Sequence, residues 1–212
     1  MCNFNKNIQR GLLNIEFELP IKDLLKQFGG GLPDVVDYQY YVNLQQRKII
    51  VNEAICDTIL ESAVLPLIEM DNDGSGEPIT IILDSPGGDV YRGFNLVDVI
   101  EKIKTPLTIH IMSMAVSMGL HIAMAGHNNP NVKTVCHPFS VGLLHSGSES
   151  VSGTAHAVRD LFNFSQKYEE KIKQYVLSHS NIDEEMYEKV YRQELWLDAD
   201  EMLRLGIVDE II

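Results

Sequence analysis

The chain has 212 residues, with 17 Lys and Arg against 30 Asp and Glu, and its formal net charge is −13 at pH 7. This length most simply forms one domain with a sizeable core, and the acidic balance argues against a nucleic-acid surface, which needs clustered basic residues. No apolar run reaches the ~20 residues of a membrane span, and the polar start is unlike a secretory signal, so we expect a cytoplasmic protein without a membrane partner.

The first 45 residues show no clear period, and residues 29–31 are three glycines with Pro33 close behind. Glycine and proline of this kind interrupt regular structure. We therefore predict a flexible or extended entry segment over residues 1–45, serving either as a propeptide or as an axial region, and a separate domain over residues 46–212.

From residue 46 onward, short β-branched runs alternate with segments whose apolar residues recur at helical spacing. The predicted strands lie near 49–51, 79–83, 107–112, 132–136 and 141–145, and the predicted helices lie near 53–70 and 91–103 and from Ser117 onward. Alternation of this kind predicts an α/β fold with a substantially parallel sheet.

Two helices close the chain. Residues 155–178 keep an i, i+3, i+4 apolar stripe, which predicts a long amphipathic helix. Asp198 and Glu201 have the spacing of a capping box, and Gly206 can supply a left-handed stop, so a short helix is predicted over residues 199–205.

The three cysteines, Cys2, Cys56 and Cys136, are odd in number and far apart in the sequence. This pattern is typical of reduced thiols in a cytoplasmic protein rather than of a disulfide framework. We expect free thiols at all three positions.

The candidate chemistry centres on Ser117. It lies 29 residues after Gly88, which ends a Ser-Pro-Gly-Gly turn at residues 85–88, and 28 residues before His145. A serine hydroxyl needs a base to take its proton, and acyl transfer needs backbone N–H donors for the developing oxyanion. Since the glycines directly follow a predicted strand, the sequence supplies all three parts of a serine hydrolase.

Other residues could take these roles. Ser113 is a rival nucleophile, but it lies within a predicted strand, and His121, His127 and His137 are alternative bases in the same half of the chain. Because Ala115 stands where a nucleophile elbow would have its first glycine, the segment is not typical of an α/β-hydrolase.

A calcium site is considered at residues 71–76, whose Asp-Asn-Asp-Gly-Ser-Gly sequence imitates the start of an EF-hand loop. The twelfth position is Ile82, inside a predicted strand, where the motif needs a bidentate glutamate. We interpret this segment as a surface loop and predict no metal site.

The motifs together resemble a known family. Asp-Ser-Pro-Gly-Gly at residues 84–88, Gly93, Ala-Val-Ser-Met-Gly at 115–119, Leu-Leu-His at 143–145 and Gly-Ile-Val-Asp at 206–209 are similar, in order and nearly in spacing, to ClpP, the proteolytic subunit of the Clp protease. The resemblance covers residues 46–212. It implies a ClpP/crotonase-like spiral of repeated ββα units, with residues 155–178 as a projecting handle helix that joins two rings.

The resemblance also implies roles for particular residues. Ser117 would be the nucleophile and His145 the base, while the backbone amides of Gly88 and Met118 would form the oxyanion hole. Most relatives place an aspartate two residues before an aromatic-Leu pair; here that position holds Glu194.

A Ser-His-Glu arrangement can still orient the imidazole, so Glu194 is the predicted third member of the triad. The alternative is that Glu194 is a solvated surface carboxylate. In that case Asp198, or no acid at all, would assist His145.

The implied function is that of a serine endopeptidase that hydrolyses unfolded proteins or peptides inside a chamber. The chamber would consist of heptameric rings of identical subunits, stacked as a pair, with an AAA+ ATPase feeding substrate. The peptidase itself would need no cofactor, since only the partner would use ATP. The N-terminal segment does not resemble that of ClpP, which leaves the ATPase partnership open.

Alternatives from other classes remain. A catalytically silent ring subunit would keep the fold without turnover, and a phage head-maturation protease would use the same chemistry on another substrate. Crotonase-type acyl-CoA chemistry is disfavoured, because it uses carboxylates rather than a Ser and His pair.

Overall fold

A computed structural model describes residues 35–147, 150–190 and 193–212 of the chain. Seven α-helices and seven β-strands are formed within these residues. The helices are α1 Val35–Gln45, α2 Leu65–Asn72, α3 Val90–Ile100, α4 Met118–Met124, α5 Ala155–Ser178, α6 Glu184–Val190 and α7 Ala199–Arg204. The strands are β1 Lys48–Val51, β2 Ile79–Ser85, β3 Leu107–Val116, β4 Val132–Cys136, β5 Val141–Leu144, β6 Leu195–Leu197 and β7 Glu210–Ile211.

The strands form one sheet whose main path runs β1-β2-β3-β4-β7, with every neighbour parallel. Strand β3 has two partners along its length. Its first half, from Leu107 to Ile111, pairs with β4, and its second half, from Met114 to Val116, pairs with β5. The predicted α/β class with a largely parallel sheet is confirmed.

The β-branched runs of the sequence form the core because alternate residues of each strand are fully enclosed. In β2 the burial alternates along the whole strand, with Ile79, Ile81 and Leu83 at 0% exposure. Helices cover one face of these strands, and their apolar stripes join the same cluster. Burial of a side chain of this size contributes about 1.5–3 kcal/mol, so these strands contribute strongly to the stability of the fold.

The segment before residue 46 differs from its prediction. Residues 1–34 lie outside the described part of the chain, but α1 is helical, and its Tyr40 and Leu44 are buried in the core. The Tyr40 hydroxyl donates to the carbonyl oxygen of Ser62. The expectation of a flexible or extended segment is therefore wrong for residues 35–45, because packing onto β1 stabilises a helix that has little periodicity of its own.

The predicted helix over residues 53–70 begins later than expected. A π-helical turn, Leu60–Val64, leads into α2, while the preceding residues take part in a β-bridge. Ile55 N–H donates to Gly87 O, and Asp89 N–H donates to Ile55 O. This pairing uses the backbone groups that a longer helix would need.

Both C-terminal helices are confirmed. Thr154 caps α5 by accepting from Ala157 N–H. At α7, Asp198 accepts from Glu201 N–H at 2.8 Å, and the Glu201 carboxylate accepts from Asp198 N–H, as a capping box requires.

The cysteines and residues 71–76 differ in part from their predictions. Cys136 is a buried free thiol, whereas Cys56 is disulfide-bonded, so the expectation of free thiols is wrong for Cys56. Residues 71–76 were predicted as a surface loop, but Asp71 and Asn72 end helix α2, and Asp71 accepts from Lys104 N–H and Thr105 N–H. Of the helices within the described residues, none combines the length and apolar character needed to cross a bilayer.

Candidate active site

The carboxyl ends of three parallel strands bring the candidate residues together. The Gly87-Gly88 turn follows β2, Ser117 follows β3, and His145 follows β5. Since parallel strands point the same way, these ends meet at one edge of the sheet, where α/β folds place their sites. The Ser117 hydroxyl oxygen lies 2.8 Å from His145 Nε2. This distance is that of a hydrogen bond through which the hydroxyl can donate its proton.

Ser117 has a strained backbone. Its dihedral angles are φ 54° and ψ −120°, outside the regions that L-residues favour. Two contacts hold it there: Ser117 N–H donates to Leu143 O at 2.8 Å, and Leu120 N–H donates to Ser117 O at 2.9 Å. Strain of roughly 1–3 kcal/mol of this kind persists where the surrounding structure imposes it, and it is concentrated at functional sites.

The glycine turn packs against the serine with no room for side chains. A Cβ on Gly87 would lie 2.7 Å from Ser117 Cβ and 2.9 Å from Met118 N. The buried Ser85 hydroxyl shapes the turn by donating to Glu53 O and accepting from Gly87 N–H. Glycine is thus required here, because the turn must approach the start of α4 this closely.

Two backbone amides next to Ser117 are free to bind an anion. The bridge to Ile55 uses the carbonyl oxygen of Gly87 and the N–H of Asp89, and it leaves the Gly88 N–H without an acceptor among the described residues. Met118 is the first residue of α4, so its N–H has no intrahelical acceptor. These are the two amides that the sequence predicted for an oxyanion hole.

The Glu194 carboxylate is not hydrogen-bonded to His145 in the structure. The last pair of the antiparallel β5–β6 ladder is Leu144 with Leu195, so His145 and Glu194 stand opposite each other one step further on. The Glu194 side chain is exposed, and its carboxylate accepts from Trp196 Nε1–H at 3.0 Å. Glu194 therefore has the register of a partner for His145, but its hydrogen bond goes elsewhere.

The other candidates lie in different environments. Asp198 is occupied in the cap of α7, and Ser113 is exposed where β3 passes from one partner strand to the next. His137 Nε2 lies 3.1 Å from His110 Nε2, and His127 Nδ1–H donates to Gly206 O. None of these four predicted alternatives is hydrogen-bonded to Ser117 or His145.

His121, considered in the sequence only as an alternative base, has a different position. It lies one helical turn after Ser117, and its Nδ1 is 2.9 Å from Ser117 O. A carbonyl oxygen only accepts, so Nδ1 carries the proton and Nε2 is the unprotonated nitrogen. Burial, together with the nearby His145, lowers the pKa of His121 although the bond to Ser117 opposes the shift, so this imidazole stays neutral. The i, i+4 spacing from Ser117 was the available signal.

A cavity of about 310 Å³ opens beside Ser117 and His145. Its walls come from the start of α3, from α4, and from α5 and α6, and they are largely apolar. They include Val90, Tyr91, Met118, Tyr168, Ile172 and Tyr187. No signal in the sequence indicated the aromatic wall, which arises because α5 packs Tyr168 against Tyr91 with 4.9 Å between ring centroids.

Comparison with known proteins gives a consistent result. The family model described as Clp protease matches residues 34–212. The ATP-dependent Clp protease proteolytic subunit of Streptococcus mutans is 28% identical over 174 residues, which cover 80% of this chain and 86% of that protein. Proteolytic subunit 1 of Chlamydia trachomatis is 26% identical over 186 residues, covering 85% and 92%. Proteolytic subunit 1 of Salinibacter ruber is 25% identical over 169 residues, covering 80% and 71%.

Proposed function

Because the chain belongs to the Clp protease family and is a serine-type peptidase, we propose that Ser117 is its nucleophile and His145 its general base. The observation that carries this assignment is the 2.8 Å contact between Ser117 Oγ and His145 Nε2. The two free amides support it, since acyl transfer needs an activated nucleophile and oxyanion donors at one place. The strained backbone of Ser117 agrees with this assignment, because such strain is concentrated at functional sites.

The reaction proceeds in two balanced halves. The Ser117 hydroxyl gives its proton to His145 Nε2 while its oxygen attacks the carbonyl carbon of a peptide. The amides of Gly88 and Met118 donate to the resulting oxyanion. His145 then protonates the leaving amine, and the C–N bond breaks to leave an acyl ester on Ser117.

Water completes the cycle. His145 takes a proton from a water molecule, whose oxygen attacks the ester carbonyl, and the same amides stabilise the second oxyanion. The C–O bond to Ser117 then breaks as His145 returns the proton to Oγ. The products are a carboxylic acid and the free enzyme, and neither a cofactor nor a metal takes part.

Glu194 has a conditional role in this proposal. A rotation of its side chain away from Trp196 would bring the carboxylate towards His145, which stands opposite it in the register, so that it could accept from Nδ1–H. The carboxylate would then fix the tautomer in which Nε2 is the free base and would stabilise the imidazolium. In the conformation described, His145 works without it.

A serine-directed fluorophosphonate tests the central assignment. Intact mass and peptide mapping should find one adduct on Ser117 that is lost in Ser117→Ala and strongly slowed in His145→Ala. Absence of the adduct in a folded and assembled protein would contradict the assignment.

The orientation of Glu194 favours a second candidate, a silent ring subunit. In that case an imidazole without a carboxylate would leave Ser117 poorly activated, and the chain would contribute its surface rather than its chemistry. Mixing it with an active Clp proteolytic subunit distinguishes the two, because a silent subunit would enter rings and never be labelled.

We also propose assembly into two stacked heptameric rings that enclose the active sites. The first half of α5 is largely exposed, including Leu161, Phe162 and Phe164. Apolar side chains in such a row are typical of a surface covered by another subunit. Native mass spectrometry should give the mass of two rings of seven, and Phe162→Glu should release single rings or smaller species.

The proposed substrate supply is an AAA+ ATPase that unfolds proteins into the chamber. The support is the family and the identity of its relatives as subunits of ATP-dependent Clp proteases. A degradation assay with a folded substrate tests it: hydrolysis that requires both an added AAA+ unfoldase and ATP supports the partnership. Peptide hydrolysis with no effect of any such ATPase would mean that the chain acts alone.

A further inference from the structure

The pocket beside Ser117 contains polar groups that its apolar walls do not explain. Asp89 and Glu169 line it together with the aromatic and aliphatic side chains. Among the described residues that line the pocket there is no Lys or Arg. The two carboxyl groups of the lining, those of Asp89 and Glu169, are therefore not matched by a basic Lys or Arg side chain within the pocket.

Of these two carboxylates, Glu169 is the one without an ion pair or hydrogen bond among the described residues. It is exposed on α5, and no Lys, Arg or hydrogen-bond donor of the described residues is paired with it. Its neighbour Glu170 accepts from Gln174 Nε2 at 2.8 Å instead, and the nearby Lys173 is taken by Glu184 and Glu188. An unpaired carboxylate at the mouth of an apolar pocket remains available to a bound ligand.

The negative charge also reaches the aromatic wall. The pKa of the Tyr168 hydroxyl is raised by burial, then by Tyr91, and then by the charges of Asp98 and Asp89. Asp89 is already engaged as the cap of α3, where it accepts from Arg92 N–H. Its charge nevertheless adds to that of Glu169 in favouring a cation over an anion in the pocket.

His121 supplies a second and independent acceptor. It lines the same pocket, is only 8% exposed, and its Nε2 has no hydrogen-bond partner among the described residues. Because Nδ1 donates to Ser117 O, Nε2 presents a lone pair. A buried polar atom without a partner is costly, so a substrate donor that reaches Nε2 by displacing the neighbouring pocket wall would relieve that cost.

We propose that this pocket selects a substrate residue with an aliphatic stem and a cationic, hydrogen-bond-donating tip, namely Lys or Arg, with Glu169 as the specificity-determining residue. The apolar walls hold the stem, the rim carboxylate attracts the tip, and acidic side chains are rejected. The inference rests on the proposed function, since it concerns the residue that precedes the bond cleaved by Ser117. An exposed carboxylate gives a preference of about two- to fivefold rather than a larger one, because water and salt screen it.

Matched fluorogenic peptides that differ only in the residue before the scissile bond test the proposal. Lysine should be cleaved with a kcat/KM about two- to fivefold above norleucine, which has the same stem without the charge, and glutamate should be cleaved most slowly. Glu169→Gln should bring the lysine to norleucine ratio close to one. Glu170→Gln is the control, since it removes the same charge one position away and should leave the ratio unchanged.

Two further measurements sharpen the result. Raising the salt concentration to 0.5 M should reduce the lysine preference of the unmodified enzyme, as expected for an exposed charge. Citrulline, an uncharged donor on a similar stem, should be cleaved faster than norleucine, and His121→Phe should abolish that difference when rates are normalised to norleucine.

A ratio of one or below in the unmodified enzyme, or a ratio that Glu169→Gln does not change, would overturn the proposal. Its failure is distinguishable from failure of the proposed function, because the norleucine peptide and the fluorophosphonate adduct report on Ser117 independently. If no peptide is turned over, the Ser117→Ala chain gives the dissociation constants of the lysine and norleucine peptides. Equal constants, or binding of neither peptide, would also reject the basic preference.

Discussion

Replacement of Gly88 by alanine provides the most direct test of the oxyanion hole. Gly88 has φ +149°, and a Cβ placed there would lie 2.3 Å from Ile55 O and 2.8 Å from Ile55 N. Real contacts of this kind are never so short, and the neighbouring atoms are backbone, which cannot rotate away as a side chain can. The turn must therefore move, and the Gly88 amide must move with it.

Gly88→Ala should lower both the free energy of unfolding and the rate of catalysis, for separate reasons. A non-glycine residue in this backbone region costs roughly 1–3 kcal/mol, which for a chain of this size lowers the midpoint of thermal unfolding by about 2–4 °C per kcal/mol. Loss of one oxyanion donor lowers the rate by about 10²- to 10³-fold, or about 2.7–4 kcal/mol of transition-state stabilisation. The second effect is the larger one, so Gly88→Ala should be folded and nearly inactive.

The assay compares the rate of fluorophosphonate labelling at Ser117 with the thermal midpoint in the same preparations. Gly76→Ala is the control, since Gly76 has φ +65° and open space around it. It should lose a similar amount of stability without any change in labelling. Labelling of folded Gly88→Ala at the normal rate would refute the assignment of this amide.

Further predictions concern the triad acid, the paired histidines and the α3 packing. Trp196→Phe removes the donor that binds Glu194 and should raise kcat/KM by up to about tenfold, a gain that should vanish when Glu194→Gln is added; equal rates in all variants would remove Glu194 from the mechanism. The pKa of His110 is lowered by burial and by His137, so the unfolded chain takes up protons first as the pH falls below about 6.5. Thermal stability should therefore decrease on acidification in that range, and less so in His137→Gln, as calorimetry at several pH values would measure. Gly93→Ala should lower the free energy of unfolding by about 1–3 kcal/mol or more, because its Cβ would lie 2.2 Å from Cγ of the buried Met118 side chain; an unchanged thermal midpoint would show that this side chain moves without cost.

Much of the fold could be predicted because its signals are local. Buried parallel strands are continuous β-branched runs, and the caps of α5 and α7 are set by residues close in sequence, such as Thr154 and Asp198. Helix α1 could not be predicted in this way. Its stability comes from Tyr40 and Leu44 packing against residues that follow it in the chain.

The candidate site, too, was predictable only where its residues follow from local sequence signals. The spacing of Gly88, Ser117 and His145 carried the prediction, since each follows a strand and parallel strands end at one edge. The hydrogen-bond partner of the Glu194 carboxylate could not be predicted from the sequence, because an exposed side chain can adopt several rotamers of similar free energy. Nor could it give the tautomer of His121, which depends on a carbonyl oxygen one helical turn away.

The strained backbone at Ser117 affects how the thermal stability of the protein can be raised by mutation. Glycine adopts φ 54° and ψ −120° without the penalty that serine bears, so any screen that rewards heat resistance alone favours Ser117→Gly. Such a screen would select variants with higher thermal stability and no catalytic activity, which is a common trade-off between stability and activity. For the same reason Ser117→Ala, which keeps the strain, is the fairer inactive reference for every comparison of stability.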